Sequence, residues 1–350
     1  MKGKIDSKSR VYIGMSGGVD SSVAALLLRD QGYDVIGVTI DTGFGDSPAA
    51  AANVCRDLAI EHRIVDLRDA FSSRIVDCFV QDYAAGLTPS PCLMCNPLIK
   101  FAVLIDQCEN NDDHVATGHY VQKNYDESTG LYYLTCGCQA KDQSYFLALL
   151  FQDQISRCLF PLGMMSKDEV RQIAREHGLS SADKRDSFDV CFIPYGDYRA
   201  FLSKQGVQDR PGNIVDPSGQ IVGRHSGLSN YTIGQRRGLD IALGYPVHVV
   251  KLDTVNNQLM VGPRELLYRS EAKLSGCVFQ SVPVPHDELR CQVRVRHKAL
   301  LSEATLIPDV MEKDGCFRLS FTKPEWGITP GQYAAFYDGD RLLGGGRFER

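Results

Sequence analysis

The sequence predicts an α/β fold in which a doubly wound, parallel-sheet region is followed by two smaller β-rich regions, and three observations carry that expectation. An apolar run at 11–15, a glycine-rich turn, a helical pattern at 19–28 and a second apolar run at 35–40 follow one another as in a βαβ unit. Strand and helix patterns then keep alternating to about Leu202. Beyond it the texture changes to short alternating runs between Gly, Pro and Asn turns.

The whole chain sets the bounds. Its 350 residues are enough for two or three cored domains, and 43% hydrophobic with 23% charged residues is ordinary for a globular protein. No apolar run is long enough to cross a membrane and residues 1–10 are polar, so a cytoplasmic protein is expected. At a net charge of −5, any nucleic-acid contact must come from local basic patches. Twelve irregularly spaced cysteines without a secretion signal fit reduced thiols better than a disulfide framework. Cys55, Cys78, Cys158 and Cys291 fall among apolar residues and read as core.

The first turn is Ser16-Gly17-Gly18-Val19-Asp20-Ser21-Ser22. Adjacent glycines let successive N–H groups converge as a nest, and a helix N-terminus adds positive potential, so phosphate is the expected guest. The lysine of a Walker loop and the third glycine of a dinucleotide fingerprint are both missing. Such a nest suits a pyrophosphate held while it leaves, with Asp20 as a candidate Mg²⁺ ligand. The bland alternative is a Gly-Gly turn capped by Asp20 or Ser21.

Residues 41–46 then read as a loop, 49–58 as a helix, Ile64-Val65 as a short strand and 71–83 as a helix. Pro89, Pro91 and Pro97 predict a break in regular structure over 88–97, ahead of a helix at 98–108 and a strand at 114–117. Gly118 and His119 lie just past that strand, where open α/β sheets place their ligand crevice. A strand at 131–138, a polar turn at 141–144 and a capping box Ser166-Lys167-Asp168-Glu169 opening a helix that Gly178 ends complete the region. In the last part, residues 289–297 alternate so that Arg290, Gln292, Arg294 and Arg296 share one face, either solvated or gripping a phosphate backbone. Residues 329–343 read as a closing hairpin.

Two cysteine sites are not core-like: Cys92 and Cys95 in the proline-bound segment, and Cys191 after Asp186-Ser187-Phe188-Asp189-Val190. A loop thiol beside a nucleotide site becomes a nucleophile once its pKa falls. Half a zinc site completed by Cys136 and Cys138 or by one of the eight histidines, simple burial of Cys191, and an iron–sulfur cluster on Cys92, Cys95 and Cys191 are the alternatives.

Taken together, the motifs resemble the bacterial tRNA-specific 2-thiouridylases, whose catalytic domain is a PP-loop (N-type) ATP pyrophosphatase. The resemblance rests on Gly14-Met15-Ser16-Gly17-Gly18-Val19-Asp20-Ser21-Ser22, Cys95-Asn96 with Ile99-Lys100-Phe101, Ala116-Thr117-Gly118-His119-Tyr120, and 141–147. It extends through Cys191-Phe192-Ile193-Pro194, 231–236 and Pro330-Gly331-Gln332. The chain departs from the family pattern in a short 40–55 segment, in Cys92 where aspartate is common, and in Ser90 where asparagine is usual.

The resemblance implies a PP-loop catalytic domain at 1–203, a small central β domain contacting tRNA at 204–268 and a C-terminal β-barrel at 269–350. It also implies ATP-dependent adenylation of the 2-carbonyl oxygen of a wobble uridine, then sulfur transfer from a persulfide on Cys191, with Cys95 as the paired nucleophile and a Cys95–Cys191 disulfide as product. Gly14 to Ser21, Ile40 and Gly118 would hold ATP. Ser90, Pro91 and Cys92 would lie by the target base, and His119, Lys141, Asp142, Gln143, Arg296, His297 and Gln332 would contact the tRNA anticodon arm. A cysteine desulfurase or sulfur-relay protein would supply sulfur. The rivals are a PP-loop amidating synthetase acting on a small carboxylate and a non-catalytic RNA-binding protein.

Overall fold

The computed structural model describes residues 9–44, 48–138, 141–184, 190–193, 196–309 and 315–350. The polar start at 1–8, the end of the 41–46 loop, Asp186 to Asp189 and Pro194 lie outside the described residues.

The first region is a five-stranded parallel sheet of β1 (Arg10–Gly14), β2 (Asp34–Asp41), β3 (Glu61–Asp66), β4 (His114–Ala116) and β7 (Cys158–Leu159), ordered β3-β2-β1-β4-β7. The two-residue period of β1 explains its central place. Val11 and Ile13 enter one apolar cluster with α1 (Val19–Asp30) and α2 (Pro48–Asp57), while Tyr12 enters a second on the opposite face. The strand order reverses between β1 and β4, so the crevice of this doubly wound sheet opens where Gly14 and Thr117 leave it.

One expectation is overturned. Instead of a break over 88–97, the chain forms one helix from Pro91 to Asp106, with a π turn at Asn96–Phe101. Pro91 occupies the first helical position, where a missing N–H costs nothing, and the wider π turn absorbs Pro97, whose ring would clash in a regular helix interior.

The hairpin β5 (Val121–Asp126) and β6 (Leu131–Cys136) leaves the parallel sheet altogether and pairs with the last strand of the chain. The middle region is a four-stranded sheet of β8 (Gly212–Val215), β9 (Ile221–His225), β10 (His248–Asp253) and β11 (Gln258–Gly262) around Ile214, Val249, Leu259 and Val261. Finally β12 (Tyr268–Phe279), β13 (Leu289–Arg294), β14 (Ser302–Pro308), β15 (Phe317–Trp326), β16 (Tyr333–Asp338) and β17 (Arg341–Phe348) form a barrel that the β12–β17 pairing closes. β16 has no solvent face over its first five residues: Ala334 and Phe336 fill the barrel, whereas Tyr333, Ala335 and Tyr337 pack with Leu134 and Tyr145 of the first region.

The basic strand β13 is also less open than its pattern suggests. Arg290 is exposed, but Arg294 turns inward to Asp142 at 2.8 Å, and Arg296 lies over Trp326 at 4.4 Å.

Candidate active site

The glycine turn joins β1 to α1 as the sequence implies. Gly17 takes a left-handed φ of +71°, and an added Cβ would come within 2.8 Å of Ala50, so only glycine fits there. Ser21 Oγ donates to the Gly18 carbonyl at 3.0 Å and lies 3.2 Å from Ser16 Oγ, while Ser22 Oγ donates to the same carbonyl at 2.8 Å. These hydroxyls lock the turn, and the N–H groups of the first α1 turn have no intrahelical acceptor by position. Met15 and Val19 bury their side chains, so what they offer a ligand is backbone. Ile40, at the carboxyl end of β2, packs against the apolar cluster that contains Cys95. Gly118 closes in from β4, and a Cβ on it would sit 2.9 Å from Ser21 N.

Asp20 does not stand open. Its two carboxylate oxygens each take a 2.8 Å bond from Lys167 Nζ, and Tyr120 OH donates to Oδ1 at 2.6 Å. The ammonium occupies the place that the sequence reading gave to Mg²⁺, so Asp20 as arranged does not fit a resident magnesium ligand. Lys167 reaches it because the Ser166–Glu169 capping box, with both reciprocal bonds present, starts its helix beside α1.

The thiols form a second cluster next door. Cys95 is buried, Cys92 is half-buried and Cys191 is exposed; all are free. Phe192 and Ile193 dock into the apolar cluster that contains Cys95 and Ile99, which ties the Cys191 turn to the cysteine helix. Burial pushes the Cys95 thiol up to about 12, and it raises those of Cys92 and Cys191 as well. Lys100 opposes all three shifts. In a regular helix residues five apart point to different sides; the i→i+5 π turn brings Lys100 back over Cys95. Among the described residues no group of three His, Cys, Asp or Glu side chains is arranged to hold a metal.

His119 links the two clusters. Its Nδ1 lies 2.8 Å from Thr117 Oγ1, its ring stacks on Phe101, and burial, aided by Lys100, drives its pKa down to about 3, so the imidazole is neutral. The expected RNA-contacting residues are largely engaged within the protein. Gln143 Oε1 accepts from the Tyr120 N–H at 3.0 Å, His297 packs on Phe146 at 4.3 Å, and Asp142 holds Arg294 and Ser144. Gln332 bonds the carbonyls of Thr88 and Pro89, just before Ser90 and Pro91 at the start of the cysteine helix. Lys141 lies in the turn beside Asp142, with its N–H on Cys138 O at 2.8 Å. Lys100 and Lys167 are the site residues that sequence reasoning assigned no role: the first lay inside a quoted motif, the second was read only as part of a helix cap.

Comparison with known proteins agrees with this arrangement along the whole chain. The family described as tRNA methyl transferase HUP domain matches residues 9–195, tRNA methyl transferase PRC-barrel domain matches 199–263, and Aminomethyltransferase beta-barrel domain matches 270–348. The tRNA-specific 2-thiouridylase MnmA of Trichormus variabilis is 44% identical over 351 residues, covering 97% of this chain and 99% of the relative. The chain belongs to the tRNA-specific 2-thiouridylase family. Another 2-thiouridylase, from Synechocystis, is 43% identical over 96% of both chains. The glycine turn, the Cys95 helix and the Cys191 turn of this 2-thiouridylase family member fall inside its HUP match, and the Gln332 contact comes from its β-barrel match.

Proposed function

We propose that this protein is a tRNA-uridine 2-sulfurtransferase that uses ATP to replace the 2-carbonyl oxygen of a wobble uridine by sulfur. The observation that carries it is the juxtaposition of two built clusters, a phosphate nest at the start of α1 and three thiols around Lys100, joined through Gly118 and His119. Gly14 to Ser21, Ile40 and Gly118 hold ATP, and Mg²⁺ arrives with the nucleotide's own phosphates rather than on Asp20. The uridine O2 attacks the α-phosphorus; the O–P bond forms, the bond to the β-phosphate bridge breaks and pyrophosphate leaves into the nest. Position 2 then carries AMP as a leaving group.

The terminal sulfur of a persulfide on Cys191 attacks that carbon and AMP departs. The Cys95 thiolate attacks Cys191 Sγ, the S–S bond breaks, and the electron pair leaves on the sulfur now bound to the base, giving 2-thiouridine and a Cys95–Cys191 disulfide. A thiol reductant reopens the disulfide. Exposure of Cys191 suits loading by a cysteine desulfurase or sulfur-relay protein, and burial of Cys95 suits a thiol that reacts only with its partner. Ser90, Pro91 and Cys92 line the approach of the base, and His119, Lys141, Asp142, Gln143, Arg296, His297 and Gln332 support the anticodon arm by contact or by shaping the surface. No helix among the described residues is long and apolar enough to cross a membrane; the cytoplasm, where the tRNA substrate is, is the compartment this reading assigns.

Mixing the protein with ATP and unmodified tRNA tests the reading. Pyrophosphate release that depends on tRNA is expected. Release dependent on a small carboxylate and ammonia would instead identify an amidating synthetase, and RNA binding without release a non-catalytic binder.

A further inference from the structure

The glycine turn has no lysine of its own, yet a lysine stands at its rim. Lys167 comes from a helix 147 positions along the chain, its side chain is only 12% exposed, and its ammonium bonds both carboxylate oxygens of Asp20, the second residue of α1. Tyr120 steadies the same carboxylate from the β4 side, where the absence of a Cβ on Gly118 lets the backbone press against Asp20 and Ser21. An ammonium is a compact charge with rotatable donors, suited to phosphate oxygens, whereas a purely structural tie between two helices needs neither this burial nor a further hydroxyl holding the acid.

We infer that Lys167 is the phosphate-binding cation of the nucleotide site, oriented by Asp20, and that it hydrogen-bonds the polyphosphate of ATP beside the nest. Asp20 is then a positioning residue rather than a magnesium ligand. The inference rests on the ATP-using reading above and adds to it the residue that replaces the lysine of a Walker loop.

The test measures ATP binding to the full-length protein by titration calorimetry without tRNA, with Mg²⁺ and in EDTA, for Lys167→Met, Lys167→Arg and Asp20→Asn, with thermal unfolding as the check on folding. Lys167→Met is expected to weaken ATP about tenfold or more in both conditions, the scale of one charge-assisted hydrogen bond. Lys167→Arg should recover most of that loss. Asp20→Asn breaks the same ion pair but keeps the cation and loses only the carboxylate that orients it, so magnesium-free ATP should weaken by less than in Lys167→Met. Wild-type affinity in Lys167→Met, or equal losses in Lys167→Met and Asp20→Asn, would show a structural ion pair and overturn the inference. A wild-type protein that binds no ATP overturns both readings, while Lys167-dependent ATP binding without tRNA-dependent pyrophosphate release overturns only the tRNA reading.

Discussion

Gln332, one residue ahead of β16, donates from Nε2 to the carbonyl oxygens of Thr88 at 2.9 Å and Pro89 at 3.2 Å. A side chain of the barrel thus holds the backbone that leads into the cysteine helix, and Thr88 returns its own N–H to Pro330 at 2.9 Å. Replacing Gln332 by Ala removes both side-chain bonds and should cost about 1 kcal/mol of stability. Faster amide exchange at 92–95 and a several-fold fall in thiolation are expected, read by mass spectrometry and by thiouridine analysis. Unchanged exchange there would show that the clasp does not order the helix start.

Cys191→Ser should abolish thiolation while tRNA-dependent pyrophosphate release continues, because adenylation uses only the nest and the base. A variant that still thiolates at full rate would exclude Cys191 as the sulfur carrier.

Lys100 pulls down three thiols that burial pushes up, so removing it acts in one direction. In Lys100→Met the pH at which Cys191 reacts with iodoacetamide should move upward, with slower alkylation at neutral pH, and Lys100→Arg should restore much of it. An identical pH profile in Lys100→Met would place the ammonium's influence elsewhere.

Asp142 sits in the protein with its side chain 9% exposed, bonded to Arg294 and Ser144. Burial works against its charge, but the Ser144 N–H and Arg294 outweigh it and hold the carboxyl below its usual range. A depressed folded pKa gives stability that is fully present above the unfolded pKa and is lost as pH falls through the folded one. The stability gap between wild type and Asp142→Asn should therefore be constant near neutrality and close in acid. Arg294→Met, which strands the buried carboxylate, should lose about 3 kcal/mol at neutral pH in denaturant titrations.

Protein purified without oxygen should carry no stoichiometric iron, because a persulfide on Cys191 carries the sulfur without one. Iron at one cluster per chain, bound through Cys92, Cys95 and Cys191, would replace the persulfide route.

The sequence made the parallel sheet and the nest legible because both are local: a two-residue period in β1, two glycines and a helix start lie within about twenty positions. The cysteine helix was misread because proline counting ignores position, and Pro91 at a helix start is harmless where the same residue mid-helix is not. The partners of Asp20 and Asp142 were invisible for another reason. Lys167 and Arg294 lie 147 and 152 residues away, a separation that no periodicity encodes. A strand at 131–138 was legible, but not its pairing with β17, which joins Leu134 and Thr135 to Leu342 and Arg341 across most of the chain.

The two-sided burial of β16 has a practical corollary for anyone dissecting this enzyme. An expression boundary drawn at the start of the barrel would leave a catalytic fragment without Tyr333, Ala335 and Tyr337, with Leu134 and Tyr145 newly wetted and β6 presented as a raw edge. Such a fragment should precipitate rather than serve as a minimal adenylating unit, and the barrel cut loose would carry a sticky aromatic flank of its own.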